Sequence, residues 1–191
     1  MMPMNEIVIV SGLPRSGTSM MMQILEAGGL EILTDNIRTT DLDNQKGYYE
    51  LEIVKQLPEE TSFLKEAQGK VVKIISELVT YLPDDYHYKI VFMRRTISEV
   101  LASQKIMLER RGNPVNAISD EEMAALFQAS LNNVLRFLEG KKNFDVLFVD
   151  YKTVIEDPET VFSQLNTFLE DRLSLEKMRQ VPDSKYYRNR S

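Results

Sequence analysis

The chain has 191 residues, 43% of them hydrophobic, which is enough for one substantial core and is read as a single domain spanning residues 1–191. It contains no cysteine, which excludes a disulfide framework, a thiolate metal site and thiol catalysis. A net charge of -6 excludes a general nucleic-acid-binding surface, although the tail SKYYRNRS is locally basic, so an anionic ligand needs a local site.

The opening stretch MMPMNEIVIVSGLPRSG has no basic leader, and its apolar run is too short for a signal peptide or a membrane span. The expectation is a soluble, cytoplasmic protein with no membrane partner. Ile7–Val10 is a β-branched run that leads straight into a glycine loop, and Ser16–Ala27 reads as a helix stopped by Gly28 and Gly29. Met20, Met21 and Met22 in that helix read as packing residues. From Leu30 to Gly69 the sequence is polar and poorly periodic and supports no assignment, apart from a short return strand LEILT ending beside Asp35.

Further along, KVVKII (70–75), YKIVFM (88–93) and FDVLFV (144–149) are apolar nearly throughout, as parallel strands covered on both faces are. Thr96 to Arg111 reads as a helix opened by the capping pair Thr96 and Glu99 and closed at Gly112. Met123, Leu126, Phe127, Leu131, Val134, Leu135 and Leu138 form a helical stripe that starts behind Ser119 and stops at Gly140. A last helix, from Pro158 to Glu170, carries Val161, Phe162, Leu165 and Phe168 on one face. Strands alternating with helices predict a three-layer α/β/α fold with a mainly parallel sheet, like that of P-loop nucleotide-binding proteins.

The loop VSGLPRSGTS places Gly12 and Gly17 at the spacing of a triphosphate-binding loop, but Thr18 stands where such a loop carries lysine, and the cation has moved to Arg15. Backbone N–H groups in this setting, with the positive end of the following helix, surround an anion. Ser16, Thr18 and Ser19 add hydroxyl donors, and the planar fork of Arg15 suits phosphate or sulfate. One alternative is a triphosphate-dependent kinase or hydrolase with a degraded loop, for which Asp150 at the end of FDVLFVD would position magnesium. Another is a protein that binds a nucleotide without turning it over.

PRSGTS after a strand resembles the 5'-phosphosulfate loop of the sulfotransferases, which use 3'-phosphoadenosine 5'-phosphosulfate as co-substrate. MRRTISEVLAS matches the family's second signature: Arg95 after a strand and Ser103 eight residues on, with Glu99 between, together implied to hold the 3'-phosphate. Taking Arg94 instead would put Ala102 in the serine position. The stretch VDYKTVIEDPETVFSQLNTFLE is similar to the family's tyrosine-bearing strand exit and Asp-Pro turn. Lys73 matches a strand lysine that the resemblance places on the transferring group. The family's C-terminal glycine-rich clamp is absent, with Lys185 and Arg188 as its candidate replacements.

The resemblance implies transfer of a sulfuryl group to a hydroxyl or amine of a small-molecule or glycan acceptor, with Gly17, the loop hydroxyls and Arg15 at the 5' end. A transferring sulfuryl group carries less charge than a terminal phosphate, so no metal is expected, and Arg15 serves the leaving phosphate. Cytosolic members use a histidine as base at the position of Ile75, whereas the sole histidine, His87, precedes a strand and belongs at the opposite edge of the sheet. A carboxylate base is therefore expected, as in tyrosylprotein-type members. Asp35 comes first, with Glu50 and Glu77 in reserve.

Overall fold

The computed structural model describes residues 5–35, 49–110, 112 and 118–181. In chain order it contains β1 (Glu6–Gly12), α1 (Thr18–Ala27), a 3-10 segment (Glu52–Gln56), α2 (Phe63–Ala67), β2 (Val71–Lys73) and a second 3-10 segment (Ser76–Tyr81). There follow β3 (His87–Arg94), α3 (Ile97–Arg110), α4 (Asp120–Glu139), β4 (Phe144–Asp150), α5 (Tyr151–Glu156), α6 (Pro158–Phe168) and α7 (Leu175–Met178). No helix among the described residues is long and apolar enough to cross a membrane.

The four strands lie in the order β2-β1-β3-β4, and every pairing is parallel. The register sets Val10 beside Lys73, Gly12 beside Met93 and Arg94 beside Asp150, so these strand ends share one edge of the sheet. Outside β2, Ile32 forms a parallel bridge to Val71, with Val71 N donating to Glu31 O and Leu33 N to Val71 O, both at 2.8 Å. The short return predicted from LEILT is therefore a single bridge, and it directs residues 33–35 toward the carboxyl edge.

Alternation along the strands divides the core in two, because successive side chains point to opposite faces. Val8, Val10, Val71, Val91, Met93 and Val149 face α1, α5, α6 and α7, where Met21, Met22 and Phe162 are fully buried. Ile7, Ile9, Val72, Ile90, Phe92 and Phe144 face α2, the second 3-10 segment and α4. Helical layers on both sides of a parallel sheet make the predicted three-layer fold. Each fully buried aliphatic or aromatic side chain in these layers contributes about 1.5–3 kcal/mol of transfer free energy.

The local signals behave as their chemistry requires. The hydroxyl of Ser119 accepts from Glu122 N while Glu122 reaches back to Ser119 N, so α4 opens on a complete capping box. Asp157 caps α6 and Pro158 fills its first turn. Two predictions are adjusted. The run 70–75 is a strand only to Lys73, after which Ile75, 38% exposed, leaves the sheet and Ser76 begins the 3-10 turn. Thr96 and Glu99 meet through their side chains, Thr96 Oγ1 donating to Glu99 Oε2 at 2.9 Å.

Candidate active site

β1 continues into α1 on one face of the sheet, whereas β3 continues into α3, which packs against α4 of the other layer. Their two exits therefore diverge and leave a crevice at the carboxyl edge, the place where parallel α/β sheets bind ligands.

The loop between β1 and α1 fills that crevice in a tightly specified shape. Gly12 has φ +146°, and a Cβ on it would lie 2.5 Å from Ser16 Oγ and 2.6 Å from Met93 O. Gly17 has φ +98°, and a Cβ there would lie 2.4 Å from the ring of Tyr151. Only glycine meets both demands at these positions. Arg15 itself holds φ 68°, an uncommon left-handed conformation for a residue with a side chain. Ser16 N closes the turn on Leu13 O at 3.1 Å, and Met21 N makes the first helical bond to Gly17 O. Ser16 is 1% exposed, and its hydroxyl is buried with no hydrogen-bond partner among the described residues. A buried donor left unpaired is costly, so its presence inside a helix-terminal loop fits an anion-accepting role.

The second cation site meets the loop directly. Arg95 Nη1 donates to Arg15 O at 3.1 Å, and Arg15 Nε donates to Ser103 Oγ, also at 3.1 Å. Arg15, Arg95 and Ser103 are thus assembled from the β1 exit, the β3 exit and α3. Glu99, itself buried, lies with Oε2 3.6 Å from Arg95 Nε, and that Nε is buried without a hydrogen bond among the described residues. The Arg95 guanidinium stacks 4.4 Å from the centre of the Tyr151 ring. Burial pushes the Tyr151 phenol up, against a smaller downward pull from Arg95. Arg94 turns the other way: half-exposed, it engages Asp150 with two bonds of 3.1 Å and lies over Phe148.

Lys73 ends β2 on the α1 side. Its ammonium donates to Ser19 Oγ at 3.3 Å and lies 3.7 Å from Glu50 Oε1, with only 9% of the side chain exposed. Glu50 is brought there by backbone tethers, since its carbonyl accepts from Thr34 Oγ1 at 2.8 Å and Glu52 N donates to Asp35 Oδ2 at 2.6 Å. The Asp35 carboxylate thus anchors the start of the first 3-10 segment, while the Glu50 carboxylate faces the Lys73 ammonium. Glu77 accepts from Ser130 Oγ and ties the second 3-10 segment to α4. His87, at the amino end of β3 beside Glu6, pairs with Asp145 at 2.9 Å, far along the strand from Arg94. Lys185 and Arg188 lie outside the described residues.

Beside the loop a cleft of about 230 Å³ opens toward α4, lined by Leu13, Ser16, Phe92, Arg95, Ile97 and Leu131 among others. Sequence reasoning met Tyr151 only as the tyrosine of the family-like strand exit and gave it no site role, whereas it forms the wall against both Gly17 and Arg95. The available signal was its position immediately after an apolar strand at the ligand-binding edge. It also missed Thr34 and Tyr49, which lie at the edges of a stretch without periodicity.

A model of the sulfotransferase domain family matches residues 5–190. The fold is similar to that of the sulfotransferase domain from the curacin biosynthetic pathway, at 17% identity and a TM-score of 0.52, over 90% of this chain and 76% of that one. It is also similar to the sulfotransferase domain of the Synechococcus PCC 7002 olefin synthase, at 15% identity and a TM-score of 0.50, over 100% of this chain and 85% of that one. No curated protein matches the chain. With the match running through both cation sites and nearly the whole length, the chain belongs to the sulfotransferase domain family and is a sulfuryl-transferring enzyme.

Proposed function

We propose that this enzyme takes the sulfuryl group of 3'-phosphoadenosine 5'-phosphosulfate and passes it to a hydroxyl or amine of a small-molecule or glycan acceptor. The observation that carries this reading is the meeting of two motifs separated by 88 residues, at the Arg15 to Ser103 hydrogen bond. A ligand with two anionic groups on one ribose, at its 5' and 3' positions, answers that arrangement, because Arg15 and the loop donors form one pole and Arg95 and Ser103 the adjoining one. Ser16 Oγ and Arg95 Nε, buried and without a hydrogen bond among the described residues, fit such a ligand, since an anionic oxygen would satisfy each.

When bound, the donor supplies a sulfuryl group on a phosphate leaving group. Arg15 and the N–H groups of residues 16–19 stabilise charge at the 5' end through fixed donors and the α1 dipole. Lys73 adds a second, nearly buried cation. Glu50 is the base that takes the acceptor's proton, a role supported by its carboxylate lying 3.7 Å from the Lys73 ammonium among the described residues. Asp35 stands behind it, holding the backbone on which Glu50 sits. A triphosphate-dependent reading drew its support from Asp150, whose carboxylate is occupied by the fork of Arg94.

Replacing Arg95 tests the assignment of the two poles. Arg95→Ala should weaken binding of adenosine 3',5'-bisphosphate by about 1.5–3 kcal/mol in calorimetric titration, and that of adenosine 5'-monophosphate by less, through the lost bond to the Arg15 carbonyl. An equal loss for both ligands contradicts the placement of the 3'-phosphate.

A further inference from the structure

Glu50 carries its carboxylate next to a residue in an unfavourable backbone conformation. Tyr49 holds φ 53°, the left-handed region that a bulky side chain adopts only when its surroundings impose it. The imposing contact is with α1: the Tyr49 hydroxyl donates to Glu26 Oε2 at 2.6 Å, on the last turn of that helix. The Tyr49 ring packs against the core layer that holds α1. Burial, and then the bond to Glu26, push its phenol well above the usual range, so it stays a neutral donor at physiological pH.

Two more tethers bracket the same residue. Thr34 holds the Glu50 carbonyl and Asp35 holds the Glu52 amide. Thr34 and Asp35 leave the bridge that Ile32 makes to β2, the strand that ends in Lys73. The first 3-10 segment and the bridge thus share one frame with the lysine. Tyr49 adds a contact of a different kind, since Glu26 belongs to the helix whose first turn carries Ser19, the partner of Lys73. Among the described residues, Thr34, Asp35, Tyr49 and Lys73 around the base are therefore referenced to α1 or to β2.

We propose that Tyr49 and Glu26 form a positioning clamp that fixes residues 49–52 across α1 and holds the Glu50 carboxylate at Lys73. This rests on the reading of Glu50 as the base, and neither Tyr49 nor Glu26 is asked to touch the reacting atoms. The clamp acts on orientation, to which proton transfer is sensitive, and leaves the two phosphate poles alone.

The test uses the full chain and the variants Tyr49→Phe, Glu26→Ala and Glu26→Gln. Turnover is read as sulfate released from 3'-phosphoadenosine 5'-phosphosulfate to water, alongside the affinity for adenosine 3',5'-bisphosphate and amide exchange over residues 49–52. Tyr49→Phe and Glu26→Ala should each lower turnover by roughly 5- to 10-fold and speed exchange by a similar factor, the size of one lost hydrogen bond. Bisphosphate affinity should stay unchanged. Glu26→Gln keeps an acceptor oxygen and should restore both readouts. Wild-type exchange and turnover in Tyr49→Phe would overturn the clamp, as would a failure of Glu26→Gln to rescue. If Glu50→Gln turned over normally, the base reading would fall instead, while the exchange measurement would still decide whether the clamp exists.

Discussion

Arg15 explains why the loop differs from a triphosphate loop. A lysine at the position of Thr18 would present a compact charge from the helix, whereas Arg15 sends a fork from a left-handed residue across to Ser103 on α3. The cost of that backbone geometry, about 1–3 kcal/mol, is offset by the contacts that fix it, including the Arg95 bond to the Arg15 carbonyl. At the other end of the site, the proposed function gives Glu50 and Asp35 two roles that the sequence could not separate. Glu50→Gln should lower turnover about 10²-fold or more while bisphosphate affinity stays intact. Asp35→Asn retains an oxygen that can accept from Glu52 N, so its loss should be smaller. A larger loss in Asp35→Asn than in Glu50→Gln would return Asp35 to the role of base.

Among the elements, those with a strong local code were legible in advance. Continuous apolar runs marked β1, β3 and β4, and the cap at Ser119 with the stop at Gly140 bounded α4. Elements specified by what they pack against were not legible. The 3-10 segment Glu52–Gln56, with α2 and α5, has only five or six residues each, too few to show a period, and each takes its shape from burying one side of a short turn. β3 offers a test at this scale. Tyr88 is fully buried in the layer under α2 and α4, and its hydroxyl donates to Pro83 O at 3.0 Å. Burial, reinforced by Tyr86, Asp85 and Asp84, pushes its phenol upward. A raised folded value means that this stabilisation is complete below the ordinary tyrosine value of about 10 and is lost as pH rises through and beyond it. Urea unfolding of the wild type should therefore lose more stability between about pH 8 and pH 11 than unfolding of Tyr88→Phe does. At pH 8 the variant should be weaker by about 1 kcal/mol for its lost hydrogen bond. Parallel losses in the two proteins would place the alkaline sensitivity elsewhere.

Across the whole molecule, the proposed phosphate poles were more legible than the proposed acceptor side, for a topological reason. Arg15 and Arg95 sit within three residues of strand exits and Ser103 on the helix that follows the second, and a parallel sheet brings such exits to one edge whatever the intervening chain does. Glu50, Tyr49 and Thr34 depend on how an aperiodic stretch returns across α1 and β2, which no spacing in the sequence encodes. The negative charge of the chain, -6 overall, sharpens the requirement for a local cationic site at the crevice. The central claim is that this crevice binds a nucleoside with a phosphate at each pole. Thermal-shift titration of the wild-type chain with adenosine 3',5'-bisphosphate, in parallel with ATP and magnesium, tests it most directly. A concentration-dependent rise in Tm is expected with the bisphosphate in the absence of metal, and a smaller one with ATP and magnesium. A larger stabilisation by ATP with magnesium would contradict that claim.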